Sequence, residues 1–555
     1  MLPCLIFEDE HLLVVNKPAG LNTHAPSPYA GEGLYDWLRN REVRWGTLAI
    51  IHRLDKETSG VIVFSKTPLA NRSLTAQFST RRVRKRYLLL TDRPVGWKEL
   101  VVRSALARSG ERYVGRPLAG AGAPAETQFR KATAPKAEDA IAPACQMIEA
   151  VPLTGRTHQI RVHAAENGFP VLGDTLYNGT AAPRVYLHAV ELRLRHSSTG
   201  EEMTFRAQIA LAGQYHPQVV AGSGLWRTDP LPCLALRHAL IDPGETNAYR
   251  VIHGASDGQP GFYVERLGDF LLSQSEQPLT EKQSEQLQLL AKAFPARGAY
   301  HKLLTRQVGR AIRGKVSPQH VLGDVAPALF TIRENGLQFE VSFDEGYSAG
   351  LFLDQRDNRR RILTRLITPG FAMPPLSLGD GQREVLNTFA YTCGFSVCAA
   401  KAGARTTSID LSNHYLEWGK RNFELNQLVP GQHEFLHGDV LDWLRRLAKK
   451  NRRFDLVLLD PPTFSQSKAS GVFRAEKDYG RLLSAALPLV RAGGILFAST
   501  NAANWPPEEF LATVEHAIGA AGRTILQRHF FPQPPDFPIS KAEPAYLKTV
   551  WLRLE

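Results

Sequence analysis

The sequence predicts a multidomain chain that joins an α+β part to an α/β part. Three observations carry this reading. At 555 residues the chain exceeds what one ordinary core supports, so two to four domains are expected. The first half holds short β-branched runs bounded by turn residues, such as Thr47–Ile51 and Val61–Phe64, which read as buried strands. In the second half strands alternate with helices, and three strands run directly into an acid, as in a doubly wound parallel sheet that binds ligands at its carboxyl edge.

Composition narrows the class. A hydrophobic fraction of 43% with 22% charged residues belongs to a globular chain, not a disordered one. The formal net charge is +13 and the isoelectric point about 9.5, which suggests a polyanionic partner without naming it. No apolar run approaches the length of a membrane span. Residues 1–10 lack a basic region and turn acidic at once, unlike a signal peptide. Five scattered cysteines (Cys4, Cys145, Cys233, Cys393 and Cys398) fit reduced thiols in a cytoplasmic protein, and none has zinc spacing. No metal and no obligate protein partner is expected.

Taken in order, Leu12–Val15 is a strand closed by Lys17-Pro18-Ala19-Gly20. The two strands around residues 50 and 62 flank the loop His52-Arg53-Leu54-Asp55-Lys56-Glu57-Thr58-Ser59-Gly60. An isolated aspartate among cations is ordinarily a salt-bridged turn. Residues 68–78 read as a short helix. The run Arg81-Arg82-Val83-Arg84-Lys85-Arg86 then leads into Tyr87-Leu88-Leu89-Leu90; such a run is either a solvated face or a set of phosphate contacts.

The loop at 52–60 resembles the signature of the RluA-type pseudouridine synthases. Two further segments occur in the family's order: Asn16-Lys17-Pro18-Ala19-Gly20, and Gly155-Arg156-Thr157-His158-Gln159-Ile160-Arg161-Val162-His163. The resemblance covers about the first 210 residues, with further similar segments at 173–177, 185–189 and 199–205. It implies a pseudouridine synthase fold with a mixed, mainly antiparallel sheet over 1–212. It implies Asp55 as the catalytic residue, Tyr87 stacking on the flipped base, and Arg161 pairing with Asp55 to hold it ionised. It further implies RNA contacts from His52, Arg53, Arg84, Lys85 and Arg86. Isomerising uridine breaks a C–N glycosidic bond and remakes it as C–C, adding nothing, so no cofactor is expected for this half. A carboxylate suits attack on C1′, stabilisation of that carbon, or removal of a sugar proton, and the residues alone leave these routes open. Many family members carry a small RNA-binding domain before the first motif, whereas this sequence starts directly at the catalytic segment.

Residues 213–244 are rich in Pro and Gly and read as a partly packed linker. Residues 245–340 follow as a small αβ domain, with an amphipathic helix at 280–293 presenting Leu287, Leu290 and Ala291 on one side; 245–252 and 257–266 resemble the central domain of RlmI-like rRNA methyltransferases. From 341 to 555 come strand–loop–helix at 385–396, a strand ending at Asp410, one ending at Asp439, and one running into Asp460-Pro461-Pro462. An acid after the second strand suits a ribose and would be compatible with NAD, but no GxGxxG follows the first strand. The pattern resembles a class I, Rossmann-like methyltransferase of the RlmI/RlmK kind, and the segment Gly350-Leu351-Phe352-Leu353-Asp354-Gln355-Arg356-Asp357-Asn358-Arg359 strengthens the likeness. The resemblance implies S-adenosyl-L-methionine held by Gln355, Arg356, Asn387, Phe389, Tyr391, Gly394, Asp410, Asp439 and Asp460, with Asp460 also catalytic.

Carbon-5 of a pyrimidine needs a cysteine thiolate at C6 before it can attack. In the RlmI-like members that cysteine follows the fifth strand. Here 494–499 is followed by Thr500-Asn501-Ala502-Ala503, and Cys393 and Cys398 read as buried small hydrophobes. The Thr500-Asn501 pair and Asp460-Pro461-Pro462-Thr463-Phe464-Ser465 look more like the RlmK branch, which methylates guanine N7. The expectation is a cytoplasmic bifunctional enzyme acting on RNA, with large-subunit rRNA as its substrate and no membrane partner. Two other readings stay open: one domain serving only to bind RNA, or a 5-methylcytosine enzyme with a relocated cysteine.

Overall fold

The strand runs marked in the sequence assemble into separate sheets. A computed structural model describes residues 2–132, 145–208, 233–304, 317–345, 348–373, 382–467 and 471–555. The chain divides into two units: Met1–His24, Gly33–Trp37 and Thr47–Asp242; and Ala25–Glu32, Leu38–Gly46 and Pro243–Glu555.

The first unit is built on one sheet. Its strands are β1 (Leu5–Glu8), β2 (Leu12–Lys17), β3 (Ala49–Ile50), β4 (Ser59–Ser65), β5 (Arg84–Thr91), β6 (Glu99–Ser109), β7 (Arg112–Arg116), β8 (Ala123–Lys131), β9 (Gln146–Pro152), β10 (Leu187–Arg195) and β11 (Glu202–Arg206). The order is β1-β2-β4-β10-β5-β9-β8-β6-β7, with β11 on β10 and β3 on β4. The β4–β10 pair is parallel and the other pairs are antiparallel, so the sheet is mixed and mainly antiparallel. Strand β4 is buried along its whole length, which its apolar Val61–Phe64 run requires. Helix Pro68–Ser79 is capped by the Thr67 hydroxyl, and proline occupies its first position. Of the stretch read as a linker, 213–232 lies outside the described residues. Its remainder is not a tether: Cys233–Leu240 is a helix of this unit, with Leu234, Leu236 and Leu240 buried. Its Ala239 carbonyl accepts the Cys4 N–H. Apolar side chains at helical spacing outweighed the local Pro content.

The second unit begins with a five-stranded sheet in chain order: β12 (Ala248–His253), β13 (Phe262–Leu267), β14 (Phe270–Ser275), β15 (Gly298–Leu303) and β16 (Gln319–Gly323). Strands β14 and β15 are parallel, and helix Glu281–Ala293 makes the crossover that parallel strands need. A reciprocal capping box of Thr280 and Gln283 starts it, and Leu287 and Leu290 are buried beneath it. Hairpins β17 (Phe330–Glu334) with β18 (Leu337–Val341), and β19 (Leu366–Thr368) with β20 (Phe371–Ala372), come next. The large sheet holds β21 (Glu384–Thr388), β22 (Arg405–Asp410), β23 (Glu434–His437), β24 (Phe454–Leu459), β27 (Val490–Thr500), β28 (Ile525–Phe531) and β29 (Lys548–Leu554); the hairpin β25 (Phe464–Ser467) with β26 (Gly471–Arg474) projects after β24. Its order is β23-β22-β21-β24-β27-β29-β28, parallel through β27 and antiparallel at the last two strands. The order reverses at β21, between β22 and β24, and open α/β sheets bind their ligands at that reversal. Among the described residues no helix is long and apolar enough to cross a membrane.

Candidate functional site

Two carboxylate-centred sites emerge, one in each unit. The loop from β3 to β4 presents Asp55 with a quarter of its side chain exposed. Lys17, at the end of β2, is fully buried. Its ammonium donates to the carbonyl oxygens of Pro18 (2.9 Å), Leu21 (2.7 Å) and Lys56 (3.2 Å). Burial lowers its pKa to about 7, against the pull of Glu57 and Asp55. The Gly20 N–H also donates to the Lys56 carbonyl, and the Thr23 hydroxyl exchanges bonds with both backbone groups of Leu54. The Asn16–Gly20 segment is therefore the clamp on the Asp55 loop. Gly60 (φ +120°) is needed because a Cβ there would meet the Ala189 carbonyl oxygen at 2.3 Å, closing the gap that lets β4 run beside β10.

Arg161 stands in helix Gln159–Glu166 and is buried. Its main partner is Asp174, not Asp55: Nε and Nη2 donate to the two Asp174 oxygens at 2.6 and 2.8 Å. Nη1 is left facing Glu57 at 3.3 Å and Asp55 at 3.9 Å. Two fixed bonds aim the third nitrogen, so Arg161 is a rigid cation at the edge of the site rather than a tight partner of Asp55. Burial raises the Asp55 pKa, and His158 and then Arg161 pull it back without cancelling the rise. His158 caps the helix in a left-handed conformation (φ 55°) and shares a 2.8 Å hydrogen bond with the Tyr177 hydroxyl, which also accepts the Tyr113 N–H. Tyr87 lies on β5, and burial followed by the Asp55 charge pushes its hydroxyl pKa up.

The set named as RNA contacts divides. Arg53 and Arg84 are exposed. Lys85 donates to the Thr154 carbonyl, and burial lowers its pKa to about 8. Arg86 is held by Glu149 (2.6 Å) and Glu191 (3.2 Å). His52 stacks on Phe78 at 4.6 Å, accepts the Val63 N–H and is pushed down to about 3 by burial. Its ring is thus held by the backbone and by Phe78.

In the second unit, Asp410, Asp439 and Asp460 lie at or just beyond the carboxyl ends of β22, β23 and β24. Asp410 accepts the N–H groups of Tyr391 and Ser412, both at 2.8 Å, and burial raises its pKa. Phe389, Tyr391 and Cys393 all have positive φ, so the β21 exit folds back on itself before helix Gly394–Lys401. Asn387 ties this turn by donating to Ser396. A strand-end carboxylate pinned by backbone donors, beside a backbone loop with aromatic walls, fits a nucleoside: Asp410 would accept ribose hydroxyls and Phe389 and Tyr391 would flank the base. Asp439 caps helix Val440–Lys449 through the Asp442 N–H.

Gln355 and Arg356 are both engaged by side chains of the fold. The Gln355 amide donates to both oxygens of Asp460 (3.2 Å each) and to Ser499 (2.9 Å). Arg356 makes a two-pronged buried pair with Asp536 at 2.8 and 2.6 Å, so it locks the fold. Burial raises Asp460 to about 6, with Asp354 adding to the rise. The cysteines are packing residues: burial pushes Cys393 up to about 12 and Cys398 higher still. Among the described residues no cluster of His, Cys, Asp and Glu is arranged to hold a metal.

Sequence reasoning gave no role to Lys17, His158, Asp174 and Tyr177, although each stands in a segment it singled out. Spacing along the chain does not announce their pairings, and only the fold supplies them.

Comparison with known proteins agrees with this division. Residues 11–166 match the RNA pseudouridylate synthase family and residues 279–553 the S-adenosylmethionine-dependent methyltransferase family. The chain is 35% identical over 334 residues to a ribosomal RNA large subunit methyltransferase of Deinococcus radiodurans, covering 58% of this chain and 77% of that one. It is 34% identical over 309 residues to ribosomal RNA large subunit methyltransferase I of Yersinia pseudotuberculosis, covering 54% and 73%. In structure it is similar to SMU.776, assigned as a methyltransferase and complexed with SAH, with a TM-score of 0.50 at 24% identity over 71% of this chain and 98% of that one. The chain belongs to the ribosomal RNA large subunit methyltransferase family and carries an RNA pseudouridylate synthase domain ahead of it, so it is an RNA-modifying enzyme of two catalytic kinds.

Proposed function

We propose that residues 1–212 isomerise uridine to pseudouridine, and that residues 341–555, with the small domain 245–340, methylate guanine N7, both on large-subunit rRNA. A ribosomal substrate is met in the cytoplasm, and that is the location we propose. In the first reaction Asp55 acts at the sugar, Tyr87 stacks on the base and Arg161 orients the carboxylate. Release and return of the base leave the atom count unchanged, so no cofactor takes part. S-adenosylmethionine, when bound, supplies an electrophilic methyl group on a sulfonium. Asp410, Phe389 and Tyr391 would hold its nucleoside end. Guanine N7 would accept that methyl group on its own lone pair, with the bonding electron pair left on sulfur and no proton to remove. Positioning supplies most of the rate. The methylated guanine carries a positive charge, which ionised Asp460, oriented by Gln355, offsets.

The observation that carries this reading is the state of the thiols. Attack on C6 of a pyrimidine needs an accessible thiolate. Both cysteines of the second unit are buried, with pKa values raised by that burial. A ring nitrogen has its own lone pair and needs no such group. The test is nucleoside mass spectrometry on unmodified large-subunit rRNA and tRNA, each incubated with the enzyme with and without S-adenosylmethionine. Pseudouridine in both conditions and 7-methylguanosine only with the methyl donor are expected on rRNA. 5-Methylcytidine in place of 7-methylguanosine would sink the N7 assignment.

A further inference from the structure

The β25–β26 hairpin has no role in the chemistry described so far, yet its two faces are unlike. Phe464 stands opposite Arg474 and Gln466 opposite Val472. Alternation along a strand puts these four on one face, and Ser465 with Phe473 on the other. The inner face is packed: Phe473 is 6% exposed and its ring lies 6.0 Å from Phe389 of the nucleoside-binding turn. The outer face is open. Phe464 keeps 56% and Val472 44% of their surface exposed, and Gln466 and Arg474 are exposed beside them. The Arg474 guanidinium lies 5.9 Å from the Phe464 ring centre. The hairpin is closed at its base by the Ala475 N–H donating to the Thr463 carbonyl, and only two prolines and Thr463 separate Phe464 from Asp460.

A flat ring, a cation over it and an amide on one surface match an unpaired nucleotide: the ring stacks on the base, the cation answers the phosphate, and the amide reads a base edge. The position supports this occupant. An enzyme that acts on a base must take it out of its stack, and the neighbouring nucleotide then loses a stacking partner at the mouth of the site. We propose that the outer face of this hairpin, Phe464 and Arg474 with Gln466 and Val472, is a stacking platform for the RNA nucleotide next to the one methylated. The proposal rests on RNA being the methyl acceptor, and not on which base atom receives the methyl group.

The full-length enzyme is photo-crosslinked to large-subunit rRNA transcripts carrying 4-thiouridine, and crosslinked peptides are mapped by mass spectrometry. Kinetics of Phe464→Ala and Phe464→Trp are measured in parallel. Crosslinks are expected between Phe464 and Arg474. Phe464→Ala should weaken them and raise KM for RNA about ten-fold, the scale of one lost base stack. KM for S-adenosylmethionine and pseudouridine formation should not move, and Phe464→Trp should restore RNA binding. Crosslinks elsewhere with none on the hairpin would overturn the proposal. So would an unchanged KM for RNA, or a rise in KM for S-adenosylmethionine, which would mean the hairpin only shapes the cofactor turn. If wild-type enzyme crosslinks at the hairpin but transfers no methyl to this RNA, the choice of rRNA as acceptor fails while the platform stands.

Discussion

Asp55 and Asp460 are both buried enough to bind a proton more tightly than in water, yet the groups closest to them differ. Asp55 sits among charges: Arg161 at 3.9 Å, with His158 and Lys17 also pulling its pKa down. Asp460 is hydrogen-bonded by neutral groups, the Gln355 amide and Ser499, while a second acid, Asp354, acts against its ionisation and the more distant Arg359 charge acts for it. Fixed cations hold a carboxylate where negative charge must persist at the start of a reaction. Neutral donors leave its charge only partly compensated until positive charge arrives. The two sites thus match the two chemistries proposed for them, one beginning at a carboxylate and the other ending on a cation.

The largest effect that sharpens this comparison is at Asp55. Asp55→Ala should reduce pseudouridine formation to background while methylation continues, read by nucleoside mass spectrometry from one reaction. Loss of both products would break the comparison, because the sites would then share one fold or one bound RNA. Next comes Asp174, which makes Arg161 rigid. Asp174→Ala leaves a buried guanidinium without its two-oxygen partner, and one-sided loss of a buried pair costs about 3–5 kcal/mol. Urea unfolding followed by a probe in the first unit checks it; a cost under about 1 kcal/mol would mean that Glu57 and Asp55 take over the pairing.

Asp460 should answer with the opposite sign. Its pKa rises from the ordinary 3.8 to about 6 in the folded state, so the fold binds the proton more tightly than the unfolded chain does. Below pH 4 both states are protonated and nothing is lost. The cost grows as pH rises from about 4 to about 6 and stays above it, reaching on the order of 3 kcal/mol at roughly 1.4 kcal/mol per pKa unit. Asp460→Asn removes that cost. The variant should melt later than wild type at pH 7, converge with it near pH 4, and transfer methyl slowly. A melting difference that ignores pH would show that hydrogen bonding, not charge, sets the stability of this site.

Legibility in the sequence followed how local each interaction is. The succession of domains was readable because strand periodicity and acids at strand ends are written within a few residues. The Asp55 loop was readable as a unit for the same reason. What was hidden is which partner each charged group takes: that Lys17 turns its ammonium onto the carbonyls of Pro18, Leu21 and Lys56, that Arg161 faces Asp174 before Asp55, and that Arg356 is taken by Asp536, 180 residues away. At 233–240, read as part of a partly packed linker, the flanking prolines hid a helix. At His52 the motif position did not reveal that Phe78 and the Val63 backbone hold the ring.

The smallest expected effect separates two arginines of one strand. On β5, Arg84 and Arg86 point the same way, and both would count as phosphate contacts from sequence. Their cross-strand neighbours differ. Arg86 stands opposite Glu191 and is bound by it and by Glu149, whereas Arg84 stands opposite Arg193 and is exposed. Counterion release on RNA binding comes from cations that are not already neutralised by the protein. Arg84→Gln should therefore lower the slope of log affinity against log salt by about 0.7–0.9, and Arg86→Gln should leave that slope in place while loosening β5 against β9 and β10. Equal loss of slope for both would mean that RNA opens the Arg86 pairs on binding, and that the acids beside it tune affinity rather than hold the sheet.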